Sequence, residues 1–275
     1  MVQMTEREFL QIRDIVHQMS GISLSQKKKQ LVVSRLSQRL RVLGFSSFSE
    51  YLDYLTCEDP DSLEAEELIN RMSTNKTDFF REAHHFSFLT EEVLPSLERE
   101  KLRIWSTGCS SGEEPYSICI ALLEYQRKTG HSFDLELLAS DISTDILQKA
   151  ANGIYKRESI SPLENFLQKR YFLQGKGTQE GMVRVKKTIR SSVTFKWINL
   201  MDEVFPFAKD IDVIFMRNVL IYFDKETKYR VVRSMQDYLR SGGYLFLGHS
   251  ESLYNINADL EAIGKTVYRK PLIEG

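Results

Sequence analysis

Apolar residues in the first quarter of the chain recur at the three- and four-residue spacing of amphipathic helices. A first helix is predicted to begin at a capping box formed by Thr5 and Glu8 and to end at Gly21. The same spacing predicts a second helix over about 25–43, followed by two shorter helices. We therefore expect an all-helical N-terminal domain over residues 1–72.

After the first hundred residues, short apolar runs alternate with amphipathic stretches, which is typical of parallel strands joined by helical crossovers. Helices are predicted over about 113–129, from Ser143 to Asn152, from Ser161 onward and over about 224–240. This order predicts an α/β fold with a doubly wound sheet. The predicted strands are LRIWS (102–106), LELLAS (135–140), IDVIFM, YLFLG and TVYRK.

The segment between Tyr171 and Trp197 departs from this pattern, because apolar and polar residues alternate there around a glycine-rich turn. We expect a small antiparallel β subdomain inserted at about 172–197. The edges of such a subdomain offer backbone groups with which another strand can pair.

The composition is that of an ordered globular protein, with 42% hydrophobic residues and a formal net charge of −1, which gives no overall attraction to nucleic acid. The three cysteines form no CxxC pair, so we expect neither a disulfide framework nor a metal site. The longest all-apolar run, Ile118 to Leu123, has six residues, against the roughly 20 that a membrane-spanning helix needs. A cytoplasmic protein without membrane insertion is therefore expected.

The turn after the first predicted strand is a candidate ligand cradle, in which Gly108 and Gly112 precede Glu113 and Glu114 at the start of a helix. Two glutamates there repel phosphates, and the turn lacks the GxGxxG pattern of dinucleotide sites. A cationic ligand such as S-adenosylmethionine is favoured instead. Asp141, at the end of the second strand, is placed to accept hydrogen bonds from its ribose. Alternatively, Asp141 caps a helix and the glutamates complement a helix dipole.

Five motifs in order give the chain a resemblance to a known family over nearly its whole length. They are MSTNKTDFFREAHHF, SSGEEPYS, ASDIS, RNVLIYFD and GHSES. Together they resemble the chemotaxis receptor methyltransferases, the CheR family. The resemblance implies a class I S-adenosylmethionine fold with a helical N-terminal domain. It also implies methylation of glutamate side chains on chemoreceptor cytoplasmic helices, with glutamyl methyl esters and S-adenosylhomocysteine as products.

The same resemblance implies which residues form the active site. Arg81 and Tyr222 are implied to act nearest the transferring methyl group, where a guanidinium and a phenol can orient a carboxylate. Residues 73–88 are implied to be a linker that contributes to the cofactor site, and 89–275 the methyltransferase domain. His249, in GHSES, is implied to lie in the site wall. The implied cofactor-binding residues are Asn75, Thr77, Arg81, Glu114, Asp141, Asn199, Leu200, Arg217 and Asn218.

A basic stripe on the second predicted helix is a candidate substrate-binding surface. Residues 27–41 include six basic and no acidic residues. On composition alone a solvated helix face is the alternative interpretation. Since receptor methylation helices in the family are rich in glutamate, the resemblance instead implies contacts from Lys28, Arg35, Arg39 and Arg41.

The glycine-rich turn supplies a second candidate substrate site. Gly175, Gly177 and Gly181 form a GxGxxxG pattern, which in the family is associated with binding of a C-terminal receptor pentapeptide. Strand addition at an edge would hold such a peptide, and Arg184 and Lys186 would meet its terminal carboxylate. A simple glycine-rich hairpin is the alternative.

Two other functions are weaker. A nucleic-acid methyltransferase would share the fold, but the sequence has no [DNS]PP[YFW] tetrapeptide. A catalytically silent module that binds S-adenosylmethionine or a receptor without turnover remains the alternative to the enzyme. His84 and His85 are adjacent, so they do not form the i, i+4 pair of a helical metal site.

Overall fold

The computed structural model describes residues 2–57, 59, 62–97, 99–254, 256 and 258–272. The helices are α1 (Glu6–Ser20), α2 (Lys29–Leu43), α3 (Phe48–Cys57), α4 (Leu63–Met72), α5 (His84–Phe88), α6 (Leu94–Ser96), α7 (Glu113–Thr129), α8 (Thr144–Asn152), α9 (Asn165–Tyr171), α10 (Lys187–Arg190) and α11 (Lys225–Tyr238). The strands are β1 (Lys101–Thr107), β2 (Asp134–Asp141), β3 (Ile154–Lys156), β4 (Phe172–Gln174), β5 (Met182–Val185), β6 (Val193–Trp197), β7 (Ile211–Met216), β8 (Leu239–Leu247), β9 (Glu261–Gly264) and β10 (Val267–Arg269).

Helices α1 to α4 form an N-terminal helical unit around their own apolar core. The predicted capping box is present, since Thr5 Oγ1 accepts a hydrogen bond from the Glu8 backbone N–H at 3.2 Å. Gly21 ends α1 in a left-handed conformation, with φ of 71°. The second helix begins later than expected, because Gln26–Lys28 forms a 3-10 turn before it. The core includes Phe9, Ile12, Val16, Val32, Leu36, Leu40, Tyr51 and Leu68.

The main sheet has the strand order β6-β2-β1-β7-β8-β10-β9, which confirms the predicted doubly wound fold. Strands β6, β2, β1, β7 and β8 are parallel, and β10 and β9 add an antiparallel edge. Both faces of β7 are buried: Val213 and Phe215 lie in one apolar cluster, Ile214 and Met216 in another. The order reverses between β1 and β7, so a crevice opens at their carboxyl ends.

The small antiparallel sheet differs from the predicted insert at about 172–197. Its order is β3-β5-β4, so it begins with Ile154–Lys156, well before the predicted start. Val193–Trp197 is not part of it, because that strand pairs in parallel with β2 at the edge of the main sheet. Alternation of apolar and polar residues reports that one face of a strand is buried, and it does not report which sheet the strand joins.

Three other elements also differ from the sequence-based expectation. The helix expected from Ser161 begins at Asn165, because Arg157–Ile160 forms a 3-10 turn whose continuation reaches Leu163. The helical stretch of α5 and α6 was not predicted. Strand β9 was not predicted either, since all of its residues are exposed and carry no apolar alternation.

The helical unit packs directly on the domain that contains the main sheet, near the crevice. Ile22 forms an isolated antiparallel bridge with Phe223, and the Ser23 backbone N–H donates to the Tyr222 carbonyl oxygen at 2.8 Å. His17 Nε2 lies 2.6 Å from Asp224 Oδ2. These contacts make the end of α1 a wall of the crevice. Within the residues described above, no helix combines the length and apolar character needed to cross a membrane.

Candidate active site

A cavity of about 330 Å³ lies in the crevice at the carboxyl ends of β1, β2 and β7, closed on one side by residues 73–77 and on another by the end of α1. Every predicted cofactor residue lines this cavity, and Tyr222 lines it as well. The fold thus gathers in one place residues that are up to 147 positions apart in the chain. The predicted residues among its lining are Asn75, Thr77, Arg81, Glu114, Asp141, Asn199, Leu200, Arg217, Asn218 and Tyr222.

The turn after β1 packs closely against the loop that follows β7. Gly108 has φ of 61°, and a Cβ atom placed there would lie 2.6 Å from Val219 Cγ2, so only glycine fits. Ser110 also adopts a left-handed conformation, with φ of 50°. Its buried Oγ has no hydrogen-bond partner within the described part of the chain and belongs to a residue that lines the cavity. This hydroxyl is available to a polar ligand.

Asp141 accepts backbone hydrogen bonds from the two turns that follow β1 and β2, whereas the N-cap of α8 is Ser143. Its Oδ2 accepts from the Ser110 backbone N–H at 2.8 Å, and its Oδ1 accepts from that of Ser143 at 3.0 Å. Burial raises the pKa of the Asp141 carboxyl above its ordinary value, against the opposing effect of these N–H groups. The carboxylate therefore fixes both turns, and its remaining acceptor capacity faces the cavity, where ribose hydroxyls can donate to it.

Arg217 joins two carboxylates in the wall of the cavity. Its side chain is only 1% exposed, with Nη1 3.0 Å from Glu114 Oε2 and Nη2 3.2 Å from Glu82 Oε2. Burial raises the pKa of Glu114, whereas Arg217 opposes that increase. Glu114 and Asp141 are carboxyl groups of the cavity lining, and a cationic group of a ligand can bind beside them.

Arg81 lies on a strained turn. Phe80 and Glu82 on either side of it have φ of 52° and 55°, a region that residues other than glycine rarely adopt. The Phe80 backbone N–H donates to Ser117 Oγ at 2.9 Å, and the Arg81 carbonyl oxygen accepts from Arg217. These contacts hold the turn so that the Arg81 side chain lines the cavity.

Tyr222 reaches the cavity from a 3-10 turn, Leu220–Tyr222, that follows β7. Its hydroxyl lies 3.4 Å from the Thr74 carbonyl oxygen, to which it donates weakly. The Lys28 Nζ atom of the helical unit lies 5.8 Å from the centre of the Tyr222 ring. A cation of the helical unit therefore lies beside a phenol that lines the cavity.

The far end of the cavity is more apolar than the sequence indicated. Asn199 uses its amide within the protein, since Nδ2 donates to the Met19 carbonyl oxygen at 2.6 Å and Oδ1 accepts from the Met201 N–H at 3.0 Å. Leu200 lines the same cavity as Ile142 and Ile198, which were not predicted. Ile142 directly follows Asp141, and this position of an apolar residue next to the strand-end acid could have indicated from the sequence that Ile142 lines the cavity. Such an apolar wall suits an adenine ring.

Two of the predicted substrate-binding arginines, Arg35 and Arg39, have partners within the helical unit. Arg35 Nη1 donates at 2.9 Å to the carbonyl oxygens at the end of α4, those of Arg71, Met72 and Ser73. Arg39 forms a two-point ion pair with Glu64, which is 2% exposed. Periodicity placed these guanidinium groups on one helix stripe, but it did not reveal partners 25 or more positions away. Of the other two residues of the predicted stripe, Lys28 Nζ makes a long contact of 3.5 Å with the Ser23 carbonyl oxygen, and the Arg41 side chain is exposed.

The glycine-rich turn connects β4 to β5. A Cβ atom on Gly175 would lie 1.9 Å from the Gln179 carbonyl oxygen, whereas Gly177 and Gly181 have φ of 59° and 82°. Each glycine therefore has a conformational reason that requires no ligand. Arg184 lies on the central strand of the small sheet, whose edge strands are β3 and β4. Lys186 Nζ donates to the Lys169 carbonyl oxygen at 2.9 Å.

Comparison with known protein families shows to which family this chain belongs. The family described as CheR methyltransferase, all-alpha domain, matches residues 7–73, and CheR methyltransferase, SAM binding domain, matches residues 75–269. The chain belongs to the CheR methyltransferase family. It is therefore an S-adenosylmethionine-dependent methyltransferase, and the Ser110 hydroxyl, the Glu114 and Asp141 carboxyl groups and the apolar residues of the cavity fit that cofactor.

Members of the CheR family are similar to this chain over nearly its full length. A chemotaxis protein methyltransferase of Borreliella burgdorferi is 42% identical over 98% of this chain and 96% of that protein. Chemotaxis protein methyltransferase 2 of Pseudomonas aeruginosa is 42% identical, over 96% of this chain and 93% of its own. The Escherichia coli chemotaxis protein methyltransferase is 38% identical over 98% of this chain and 94% of that protein.

The structure also identifies residues of the site that the sequence did not reveal. Glu82 and Glu251 hold the loops that carry Arg81 and Tyr222, whereas the candidate His249 has an exposed position and contributes its backbone N–H. No group of three or more His, Cys, Asp or Glu side chains suited to a metal ion occurs among the residues that the structure describes.

Proposed function

We propose that this CheR-family protein transfers the methyl group of S-adenosylmethionine to glutamate side chains of chemoreceptor cytoplasmic domains, and that it acts in the cytoplasm where those domains lie. The products are glutamyl methyl esters and S-adenosylhomocysteine. The observation that carries this proposal is the joint position of Arg81 and Tyr222 in the cavity whose other walls suit the cofactor. A guanidinium and a phenol are complementary to a carboxylate nucleophile.

Methyl transfer to a glutamate requires the protein to orient the carboxylate, and it requires no general base. A glutamate carboxylate has an ordinary pKa of about 4.3, so it is already ionised at neutral pH. Bound S-adenosylmethionine supplies an electrophilic methyl group on a sulfonium. One carboxylate oxygen forms the new C–O bond as the C–S bond breaks in line, and the electron pair leaves with the sulfur as a neutral thioether.

Arg81 and Tyr222 divide the task of placing the carboxylate. We assign Arg81 to hold one oxygen by a charge-assisted hydrogen bond and Tyr222 to donate to the carboxylate from the opposite loop. Too strong a bond would reduce the nucleophilicity of the attacking oxygen, so both residues serve orientation. Lys28, beside the Tyr222 ring, adds positive charge at the same side of the cavity.

For receptor recognition we propose Lys28 and Arg41 as the contacts of the helical unit, because Arg35 and Arg39 already have internal partners. Complementary charge raises the rate of encounter with a glutamate-rich helix more than it raises affinity. Salt then weakens recognition, since these are exposed or half-exposed charges.

We also propose that a receptor C-terminal pentapeptide adds as a strand to an edge of the small sheet, β3 or β4, beside the turn that contains Gly175, Gly177 and Gly181. Basic side chains in this subdomain, Arg184 and Lys186 among them, supply charge for the terminal carboxylate. The positions of β3 and β4 as edge strands support this proposal, since an edge strand is where an added strand can pair.

The deciding experiment is transfer of labelled methyl from S-adenosylmethionine to receptor cytoplasmic domains from the same cell. Base-labile label that is released as methanol, and that maps to glutamate, supports the proposal. An Arg81→Ala variant serves as the reference for background labelling. Binding of S-adenosylhomocysteine by calorimetry without label on any receptor would favour a catalytically silent binding module instead.

The tether is tested separately, with receptors that keep or lack their last five residues. We expect the full-length receptor to be methylated at a lower receptor concentration by the wild-type protein, because tethering raises the local concentration of substrate. Gly175→Ala removes that advantage, since its Cβ atom would collide with the Gln179 carbonyl oxygen. Equal methylation of both receptors by the wild type rules the tether out.

A further inference from the structure

The turn after β8, residues 248–251, contacts both loops that carry the proposed catalytic residues. Glu251 Oε2 accepts from the backbone N–H groups of Asn218 and Gly248, each at 2.7 Å, and Oε1 accepts from that of Ile221 at 3.2 Å. His249, two positions before Glu251 in the same turn, donates its backbone N–H to Glu82 Oε2 at 3.0 Å. One short turn therefore links the Arg81 loop to the Tyr222 loop.

The contacts made by Glu251 fall on a segment that needs support. Asn218 has φ of 59°, which costs free energy in a residue other than glycine. Its backbone N–H and that of Ile221 point to the Glu251 carboxylate, so the acceptor fixes the chain between them. Tyr222 follows directly, and its direction into the cavity depends on this path.

The carboxylate is also closely enclosed. Glu251 is 5% exposed. A Cβ atom on Gly248 would lie 2.4 Å from Asn218 Nδ2, 2.7 Å from Asn218 N and 2.8 Å from Glu251 Oε2. Glycine is therefore required for the turn to approach the Asn218 backbone, and little room exists for the Asn218 loop to shift while the turn stays in place.

We propose that Glu251 is a positioning residue for methyl transfer, and that its carboxylate sets the Tyr222 side chain relative to Arg81 by holding the backbone from Asn218 to Ile221. This role rests on the proposed function. Glu251 does not itself line the cavity, so it acts through Tyr222. Glu82 performs the matching task on the other loop, where it accepts from His249 and pairs with Arg217.

A double-mutant cycle between Glu251→Gln and Tyr222→Phe tests the proposal. The glutamine side chain has one acceptor oxygen, and its NH₂ group replaces the second oxygen of the carboxylate. A backbone N–H group of the loop then faces another donor, and we expect the loop to shift. Because small displacements of reacting groups can cost about 100-fold in rate, we expect Glu251→Gln to lower kcat by about 10-fold or more. The KM for receptor should change by less than about threefold, and because Asn218 also lines the cavity, the affinity for S-adenosylhomocysteine should fall, but by a smaller factor than kcat.

The cycle distinguishes positioning from general damage. In the Tyr222→Phe background, Glu251→Gln should lower kcat by less than about threefold, because the group it positions has gone. Glu261→Gln, on the exposed strand β9, is the matched control and should behave as wild type. Glu251→Asp, which keeps the charge, should recover part of the lost kcat.

Gly248→Ala provides an independent route if Glu251→Gln does not fold, because it displaces the same loop from the other side. Additive effects of the two substitutions on kcat, or equal losses of kcat and S-adenosylhomocysteine affinity, would overturn the positioning role of Glu251. The proposed function would then still stand, provided that the wild-type protein forms the glutamyl ester. Absence of ester formation by the wild type would overturn both.

Discussion

Arg39 of α2 and Glu64 of α4 form a two-point ion pair inside the helical unit, in which Arg39 Nε lies 3.0 Å and Nη2 2.5 Å from Glu64 Oε2. Tyr51 also donates to Glu64 Oε1, at 2.9 Å. The side chain of Glu64 is 2% exposed and that of Arg39 is 21% exposed. This pair joins α2 to α4, so a residue that the sequence presents as part of a basic surface holds the domain together.

Arg39→Ala is therefore expected to act on stability. Loss of the guanidinium leaves the buried Glu64 carboxylate without its partner, which costs about 3 kcal/mol of unfolding free energy. The measurement is chemical denaturation of the variant beside Arg41→Ala, whose side chain is exposed and whose effect should stay within about 0.5 kcal/mol. Equal stabilities of the two variants would contradict the structural role of Arg39.

Arg41→Glu is expected to act on substrate recognition instead. Reversal of an exposed charge opposite a glutamate-rich helix lowers the rate of encounter, so receptor methylation should slow by about threefold or more at low salt. The difference from wild type should shrink as salt is added. Affinity for S-adenosylhomocysteine should not change, and Arg7→Glu on α1 supplies a control with the same charge change. A methylation rate equal to wild type at low salt removes Arg41 from the recognition surface.

Local patterns in the sequence predicted most of the helices and strands, because these depend on residues close together in the chain, whereas most residues of the cavity were implied by the resemblance to the CheR family. Helix caps, strand runs and strand-end residues such as Asp141 are of this kind. Partners distant in sequence were not accessible to the same reasoning. The pairing of β6 with β2, and of Arg35 with the end of α4, exists only after the chain has folded.

The GHSES motif illustrates the same limit at the site. A histidine attracts attention as a chemical group, yet His249 contributes a backbone N–H, and the glutamate two positions later makes the decisive contacts. Almost every residue type has a backbone N–H and C=O group, so the sequence does not show which of these groups make functional contacts. The roles of Glu82 and Glu251 therefore required the geometry.

Arg81→Ala should lower turnover far more than cofactor affinity. The side chain lines the cavity, whereas the backbone of the turn is held by Ser117 and Arg217, so the variant keeps the turn and loses the guanidinium. We expect kcat to fall by about 100-fold, with S-adenosylhomocysteine binding within about threefold of wild type. Single-turnover kinetics and calorimetry measure the two quantities. Wild-type single-turnover rates in Arg81→Ala would exclude its role at the reacting carboxylate.

His85 makes stability sensitive to acid. Burial, with the charge of Arg217 and the neighbouring His84, lowers the pKa of His85 to about 4, although Glu82 opposes this shift. The neutral ring packs inside the protein, with Nε2 3.0 Å from Thr266 Oγ1. Below the ordinary histidine pKa of about 6.5 the unfolded chain binds a proton that the folded protein does not, so stability is lost as the pH falls from about 6.5 to about 4.

The size of this effect follows from the shift in pKa, which corresponds to about 3 kcal/mol over that pH range. His85→Gln keeps a hydrogen-bonding side chain and removes the titration, so its unfolding free energy should depend less steeply on pH between 6.5 and 4. Denaturation series for both proteins at half-unit pH intervals measure the two slopes. Parallel slopes would show that the proton is not taken up at His85, and the acid sensitivity would then belong to carboxylates such as Glu82, whose contacts with His249 and Arg217 hold its pKa below the ordinary value despite its burial.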